Sequence, residues 1–308
     1  MEVIRSRVLG FCMGVRRAAA LAAAEADRVK ALGGRVYTLG PLIHNPKVLS
    51  DLKSRGVEVL HEVLHEEPES ALPEDINGCS LIIRAHGVDP LIEEGLRSRG
   101  FHIVDATCPK VKESQLKAKT LAEAGYFLFL AGDARHAEIA GITGYASILG
   151  YASITGNAGK GTCCVVSNAA EAEAAAKKLL EAEKDAKAAL IGQTTFSEEE
   201  YLNIGEAIKK YFPALEIVQT ICHATRDRQQ ALRELLPLVD AVVVAGGRDS
   251  ANTRRLLEVA QENGKPCVLV EKTSEIPAFF RTYRTVGFCA GASTPDTLIS
   301  EIELELLR

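Results

Sequence analysis

Residues 102–114 read HIVDATCPKVKES. A β-branched run passes through one cysteine, meets Pro109 and continues into a Lys/Glu/Gln-rich stretch. A strand that hands over to a helix puts the connecting residues at the carboxyl edge of a sheet and at a helix N-terminus. Open α/β proteins hold their ligands there. Two further segments end a β-rich run in cysteine: VIRSRVLGFCMGVRRAA at Cys12 and LEIVQTICHATRDRQQA at Cys222. The three cysteines stand 96 and 114 residues apart.

Other short aliphatic or aromatic runs lead into small residues and then into His, Glu, Thr, Ser or Asn. They are VYTLGPLIHNP (36–46), LIIRAHGVDP (81–90), YFLFLAGDARHAE (126–138), AALIGQTTFS (188–197), AVVVAGGRDSANT (241–253) and TVGFCAGASTPDT (285–297). Their uniform apolarity suits strands covered on both faces. AAALAAAEADRVKAL, EEEYLNIGEAIKKYF and RRLLEVAQENG carry apolar residues at helical spacing. The alternation predicts α/β structure with parallel sheets and right-handed crossovers. Two polar turns lie between successive cysteines: His44 and His86, then His136/Glu138 and Thr194/Thr195, then Ser250/Asn252 and Ser293 after Cys222. The chain reads as three copies of one unit. That pattern predicts three similar α/β domains with small, mainly parallel sheets around a pseudo-threefold axis and a central cavity. The expected domains are 13–107, 108–219, and 1–12 with 220–308.

Composition sets outer bounds. The 308 residues are 47% hydrophobic, with 5% aromatics, no tryptophan and a formal net charge of −5. Such a chain can bury several cores. Its charge argues against general nucleic-acid binding, which draws affinity from a basic surface. No long apolar run or signal-peptide core is present, so the sequence predicts a cytoplasmic protein without a membrane partner. The reducing cytosol makes the eight cysteines buried hydrophobes, catalytic groups or metal ligands rather than disulfides.

Three thiolates from three repeats suit a metal site with one open position. Zinc would accept them with His223 as a fourth ligand. A [4Fe-4S] cluster on three cysteines would instead leave one iron open to substrate and able to deliver electrons. Ser250, Asn252 and Ser293 lie where strands feed helix N-termini, where neutral donors and helix dipoles hold phosphate. Glu138, close to His136, is a proton donor if enclosure raises its pKa.

FCMGVRRA, GPLIHNP, RAHGV, DATCPKV, GDARHAEIAG, GQTTFS, QTICHATRDRQ, DSANTRRL and GASTPD, in this order, resemble the motif set of the 4-hydroxy-3-methylbut-2-enyl diphosphate reductase family, IspH/LytB. The match runs over nearly the whole chain. The resemblance implies three α/β domains around a central [4Fe-4S] cluster, one per chain, with one iron not held by protein. It implies a two-electron reductive dehydroxylation of an allylic diphosphate to isopentenyl and dimethylallyl diphosphate, the last step of the methylerythritol phosphate route. On this resemblance Cys12, Cys108 and Cys222 are the cluster ligands. His44, His86, His136, Ser250, Asn252 and Ser293 hold the diphosphate, Glu138 with His136 serves proton delivery, and Thr194 orients the substrate hydroxyl. Thr225 matches a further pocket threonine. Reduced ferredoxin or flavodoxin is the implied electron donor, and a monomer is expected. Ala251 stands where the family often has a second serine. No fused domain is expected after the last motif.

Taken singly, each of the three cysteines reads as a small buried hydrophobe, and the threefold repetition reverses that. Cys79, Cys163, Cys164, Cys267 and Cys289 are expected in the core. His61, His65, His102 and His223 fall outside the polar-turn pattern and read as surface or structural. Thr195 and Thr225 read equally well as helix caps. EAEAAAKKLLEAEKDAKAA (171–189) is expected to be an exposed helix. Rival functions are a zinc-dependent phosphotransfer or hydrolytic enzyme, a non-catalytic iron–sulfur sensor, which lacks an evident basic output helix, and a metal-free phosphometabolite-binding protein.

Overall fold

The structure, a computed structural model, describes residues 1–60, 76, 78–147 and 163–308. In chain order the elements begin β1 (Glu2–Arg5), α1 (Met13–Ala31), β2 (Arg35–Leu39), α2 (Pro46–Ser54), β3 (Val57–Leu60) and β4 (Cys79–Ile83). Then follow α3 (Pro90–Ser98), β5 (His102–Asp105), α4 (Pro109–Glu123), β6 (Tyr126–Ala131), α5 (Ala137–Ser147), β7 (Cys163–Val166) and α6 (Ala169–Ala182). After β8 (Lys187–Gly192), α7 (Glu198–Lys209) and β9 (Glu216–Ile217), the chain closes with α8 (His223–Leu235), β10 (Ala241–Ala245), α9 (Ala251–Glu262), β11 (Cys267–Val270), β12 (Thr285–Ala290) and α10 (Asp296–Leu306). Each apolar run chosen from the sequence is a strand, and the described strands fall into three small sheets. Two compact units result, Met1–Ala85 with His223–Arg308, and His86–Cys222.

In the first unit the order β1-β12-β10-β11 is parallel throughout, with Val3 opposite Val286 and Val243 opposite Phe288. All five residues of β10, AVVVA, are buried. Val243 and Ala245 face Phe288, Ile299 and Ile302, whereas Val242 and Val244 face Leu232, Val259 and Cys289. Helices on both faces explain the unbroken apolar run. The same unit pairs β3-β2-β4 in parallel, with Val36 opposite both Val57 and Ser80.

The second unit is built on β7-β6-β8-β9, again parallel. Leu128 and Leu130 of β6 pack with Ile139 and Ile142 of α5, while Phe129 packs with Tyr201 and Ile204 of α7. The Tyr201 hydroxyl lies 2.9 Å from the Leu190 carbonyl and 2.6 Å from that of Val218, within donating reach of both. It pins β8 to the segment leaving β9, and this buried phenol satisfies its polar end in the backbone.

Two expectations need correction. The thiol turns at Cys12 and Cys222 do not close strands directly: β1 stops at Arg5 and β9 at Ile217. Gly10, with φ +81°, turns the chain out of ladder geometry before Cys12. Before Cys222, the Thr220 hydroxyl accepts the Gly192 N–H at 2.8 Å, so this segment follows the neighbouring turn. Residues 171–189 are not one exposed helix. The helix stops at Ala182, buries Ala172, Ala176 and Leu179, and β8 begins at Lys187.

Candidate active site

In the second unit the functional residues gather where β6 and β8 end. The His136 N–H bonds to the Asp133 carbonyl, and its Nδ1 accepts the Glu138 N–H at 3.2 Å. With Nδ1 accepting, a neutral His136 ring carries its proton on Nε2. His86 meets His136 edge to face with 5.2 Å between ring centroids. Glu138 is 1% exposed. Its Oε1 accepts the Thr194 N–H at 2.7 Å and its Oε2 accepts the Thr194 hydroxyl at 3.0 Å. Burial pushes the carboxyl up and outweighs those two bonds, leaving its pKa at about 7. Glu138 is therefore an acid that can hold or release a proton near neutrality.

Thr194 also accepts the Cys222 N–H on its carbonyl at 2.9 Å, so one threonine joins the acid to a thiol turn. Gln193 is a residue the sequence reading missed. It is buried, its Oε1 accepts the Asp133 N–H at 3.1 Å and its Nε2 donates to Thr195 Oγ1 at 2.7 Å. It locks the GDARHAE turn to the GQTT turn. The quoted GQTTFS motif contained it, but an amide spanning two distant loops leaves no local pattern. Thr195 is no helix cap, because Ser197 caps α7.

Cys108 stands at the N-cap of α4, followed by Pro109 at the first helical position, and its side chain makes no capping bond. Burial raises the Asp105 carboxyl, but the hydrogen bonds from Thr107 and the Lys112 charge outweigh it and hold the group below its ordinary value. The Lys110 ammonium is raised mainly by Glu113 and further by the charges of Cys222 and Cys108. Both thiols of this unit thus act on one lysine.

In the first unit, Cys12 caps α1, its Sγ 3.5 Å from the Val15 nitrogen. Its own N–H donates to the Ala292 carbonyl at 3.1 Å, and the Ala292 N–H donates to Asn252 Oδ1 at 3.1 Å. Asn252 Nδ2 lies 3.5 Å from Thr225 Oγ1. Thr225 is buried in the first turn of α8, inside the helix rather than at its cap. Ser250 caps α9, accepting the Thr253 N–H at 3.4 Å, and Ser293 donates to the His44 carbonyl at 3.3 Å. Gly247 must lack a side chain, since a Cβ there would stand 2.2 Å from that same carbonyl. The structure thus brings Cys12, Asn252 and Thr225 into one network and His44 beside Ser293.

The helix N-termini share an electrostatic feature. α1, α2, α4, α8 and α9 carry no acidic residue in their first turns. By contrast α6 begins with Glu171 and α7 with Glu198, Glu199 and Glu200. Positive helix ends without built-in carboxylates suit thiolates and phosphates.

The remaining cysteines differ chemically. Cys79, Cys163 and Cys289 are buried, and Cys164 and Cys267 pack half-buried against the cores. Burial pushes the thiol of Cys163 up to about 11 and those of Cys164 and Cys289 up to about 12. Such thiols resist the deprotonation that ligation requires. Cys12, Cys108 and Cys222 are also half-buried, but each stands at or immediately before a helix start. Three such donors fit an iron–sulfur group. His223 is exposed and its Nδ1 lies 2.5 Å from the Arg226 guanidinium. His102 is exposed as expected, and His61 and His65 lie outside the described residues. No described helix is long and apolar enough to cross a membrane.

The chain is similar to known proteins over its whole length. The LytB protein family model matches residues 3–307. A protein of Treponema denticola named 4-hydroxy-3-methylbut-2-enyl diphosphate reductase is 41% identical over 308 residues, covering all of both chains. One of the same name from Aquifex aeolicus is 35% identical over 304 residues, covering 98% of this chain and 95% of that one. A solved structure of (E)-4-hydroxy-3-methyl-but-2-enyl diphosphate reductase, described as the terminal enzyme of the non-mevalonate pathway, aligns with TM-score 0.67 and 34% identity over 99% of each chain. The Plasmodium falciparum reductase structure aligns with TM-score 0.83, 24% identity, and 100% and 88% coverage, a likeness of fold. With its thiol turns and its buried acid in the matched span, the chain belongs to the LytB family of iron–sulfur enzymes.

Proposed function

We propose that the chain is a 4-hydroxy-3-methylbut-2-enyl diphosphate reductase, removing the allylic hydroxyl by two-electron reduction to give isopentenyl and dimethylallyl diphosphate. The observation that carries this beyond family membership is the buried Glu138 carboxyl, held by Thr194 and poised near pH 7. Reductive loss of a hydroxyl consumes protons as well as electrons, and this acid is chemically able to give one.

On this reading Cys12, Cys108 and Cys222 hold one [4Fe-4S] cluster per chain with one iron left open. When bound, the cluster supplies electrons singly and a Lewis-acidic iron. The protein's own residues do the rest. His44, His86 and His136 offer imidazole donors to the diphosphate, and Ser250, Asn252 and Ser293 offer neutral ones at the start of α9 and beside Ala292. Thr225 holds Asn252, and the positive ends of α2 and α9 favour the anion. Glu138 holds the proton at its carboxyl, Thr194 fixes that carboxyl's orientation and faces the substrate hydroxyl, and burial excludes competing water. Reduced ferredoxin or flavodoxin as donor, a monomeric state, a cytoplasmic location, and the domains 13–107, 108–219 and 1–12 with 220–308 belong to the same proposal.

The test is anaerobic purification with iron and acid-labile sulfide analysis, then assay with reduced methyl viologen and the allylic diphosphate. About four iron and four sulfide per chain, the content of such a centre, with formation of both isomers support the reading. Zinc in their place, or a loaded protein that leaves the substrate intact, defeats it.

A further inference from the structure

Gln193 carries a cost that packing alone does not explain. It is 4% exposed, directly after the last residue of β8, and a buried amide is unfavourable unless its hydrogen bonds are made. An apolar side chain of the same shape would fill the space as well. The reason for an amide lies in what it joins.

The ladder between β6 and β8 runs from Tyr126 opposite Lys187 to Ala131 opposite Gly192. One further backbone bond follows, from the Gln193 N–H to the Ala131 carbonyl at 2.8 Å. Beyond it the strands give way to two turns, one carrying Asp133, His136 and Glu138, the other Thr194 and Thr195. The Gln193 side chain reaches across them, its Oε1 accepting the Asp133 N–H and its Nε2 donating to Thr195 Oγ1. A backbone N–H can only donate, so it must meet the amide oxygen, which fixes the amide's orientation. Gly132 makes room for this: a Cβ there would stand 2.9 Å from Gln193 Oε1 and 2.6 Å from Ile139 Cδ1. Ile139, the residue after Glu138, therefore packs over the same glycine as the amide.

From Asp133 the contacts lead back to the residue beside Gln193. The Asp133 carbonyl accepts the His136 N–H at 2.9 Å, His136 Nδ1 accepts the Glu138 N–H at 3.2 Å, and the Glu138 carboxyl accepts both donors of Thr194. The circuit opens on Gln193 and closes on its chain neighbour, and every link lies in the second unit. Bonds so connected hold one another in place. Cutting the circuit at the amide releases the Asp133 end and lets the acid drift from Thr194, while the β6–β8 ladder stays paired.

We propose that Gln193 is a positioning residue: its side-chain amide clamps the Asp133 turn to the Thr194 turn and thereby keeps the Glu138 carboxyl on the Thr194 N–H and hydroxyl, in place for proton transfer. This rests on the reading of Glu138 as the proton donor.

The experiment has two arms on the anaerobically purified protein. The first is a double-mutant cycle on turnover, with Gln193→Met made in the unaltered protein and in Glu138→Gln. Misplacing a reacting group costs rate steeply, so Gln193→Met is expected to lower kcat about tenfold or more with KM held, and to change Glu138→Gln by less than about twofold. An equal loss in both backgrounds, or no loss in the first, overturns the proposal. The second arm is hydrogen–deuterium exchange read by mass spectrometry, which needs no turnover. Gln193→Met is expected to exchange faster in residues 132–138 and 193–196 while residues 126–131 and 187–191 keep their protection. Unchanged exchange in the two turns overturns the clamp, and opening spread over both strands marks a merely structural residue and overturns it too. If Glu138→Gln turns over like the unaltered protein, the proton-donor reading fails, and the exchange arm still decides whether the clamp exists. If Gln193→Met does not fold, Thr195→Val, which removes the partner of Nε2, is compared with Thr195→Ser, which keeps the hydroxyl. Faster exchange of the two turns in Thr195→Val alone supports the clamp, and equal behaviour of the two variants overturns it.

Discussion

Thr194 donates both its N–H and its hydroxyl to Glu138, one to each carboxylate oxygen, at 2.7 and 3.0 Å. The pair therefore acts as one unit, with a carboxyl that burial has lifted to about 7 and an orienting group that opposes the lift. If Glu138 is the proton donor, turnover is level below pH 7 and falls above it as the carboxyl ionises. Glu138→Gln should lower kcat by about 10² to 10⁴ and abolish that alkaline limb. Pyrophosphate should bind the variant as before. Steady-state rates from pH 5 to 9 check this, and an unaltered limb removes Glu138 from the mechanism.

Thr194→Val deletes one hydrogen bond to the charged form of the acid. Because that bond lowers the Glu138 pKa, its loss should move the alkaline limb upward. The same pH series reads the shift, and movement to lower pH contradicts the assigned geometry.

The raised carboxyl also carries a stability signature. Its folded pKa of about 7 exceeds the reference value of 4.5, so folding favours the protonated form. No penalty arises below pH 4.5, and it grows until it is complete above pH 7, reaching at most about 3 kcal/mol. Glu138→Gln should therefore resist urea better than the unaltered protein at pH 8, with the advantage shrinking toward pH 5. Equal midpoints at pH 8 would show that the carboxyl is not buried in its ionised state.

Cys108→Ala should leave the protein folded but short of iron and sulfide, because one of three thiol donors is gone. Cys289→Ala should retain the full content, since that thiol sits 1% exposed in the core against Leu232 and Val259. Metal analysis of the two variants side by side decides which cysteines are ligands.

Asn252→Ala should act twice. It removes a neutral donor from the proposed diphosphate set, and it frees the Ala292 N–H whose carbonyl holds Cys12. Losing a buried amide bond costs about 1 to 3 kcal/mol. Isothermal titration with pyrophosphate should show weaker binding, and thermal unfolding a lower midpoint. Unchanged affinity would leave Asn252 a purely structural residue.

The strands were legible because each is a short run buried on both faces, as AVVVA at 241–245 is. The turns carrying the chemistry were legible because function breaks those runs with His, Cys, Thr and Asn at one recurrent place. Distances between strand ends and thiols were not. Gly10 and Thr220 turn the chain through contacts with Arg228 and Gly192, which are remote in sequence. Gln193 escaped notice for the same reason: it works by spanning two loops, and single-loop patterns carry no trace of that. The 171–189 segment misled because Ala serves helix and buried strand equally well, and only the burial of AALIG shows where β8 takes over.

The contrast between the two kinds of cysteine gives the protein a chemical gauge. Burial holds Cys163, Cys164 and Cys289 in the thiol form, with pKa values of about 11 to 12, and alkylating reagents attack the thiolate. Cys267, as half-buried as Cys12, Cys108 and Cys222, is also pushed up by burial, so labelling of the native protein should fall on the three helix-start cysteines whenever they carry no iron. Maleimide uptake by the folded chain, read by mass spectrometry, would then count empty molecules in a preparation, and its decline during reconstitution would report loading in real time.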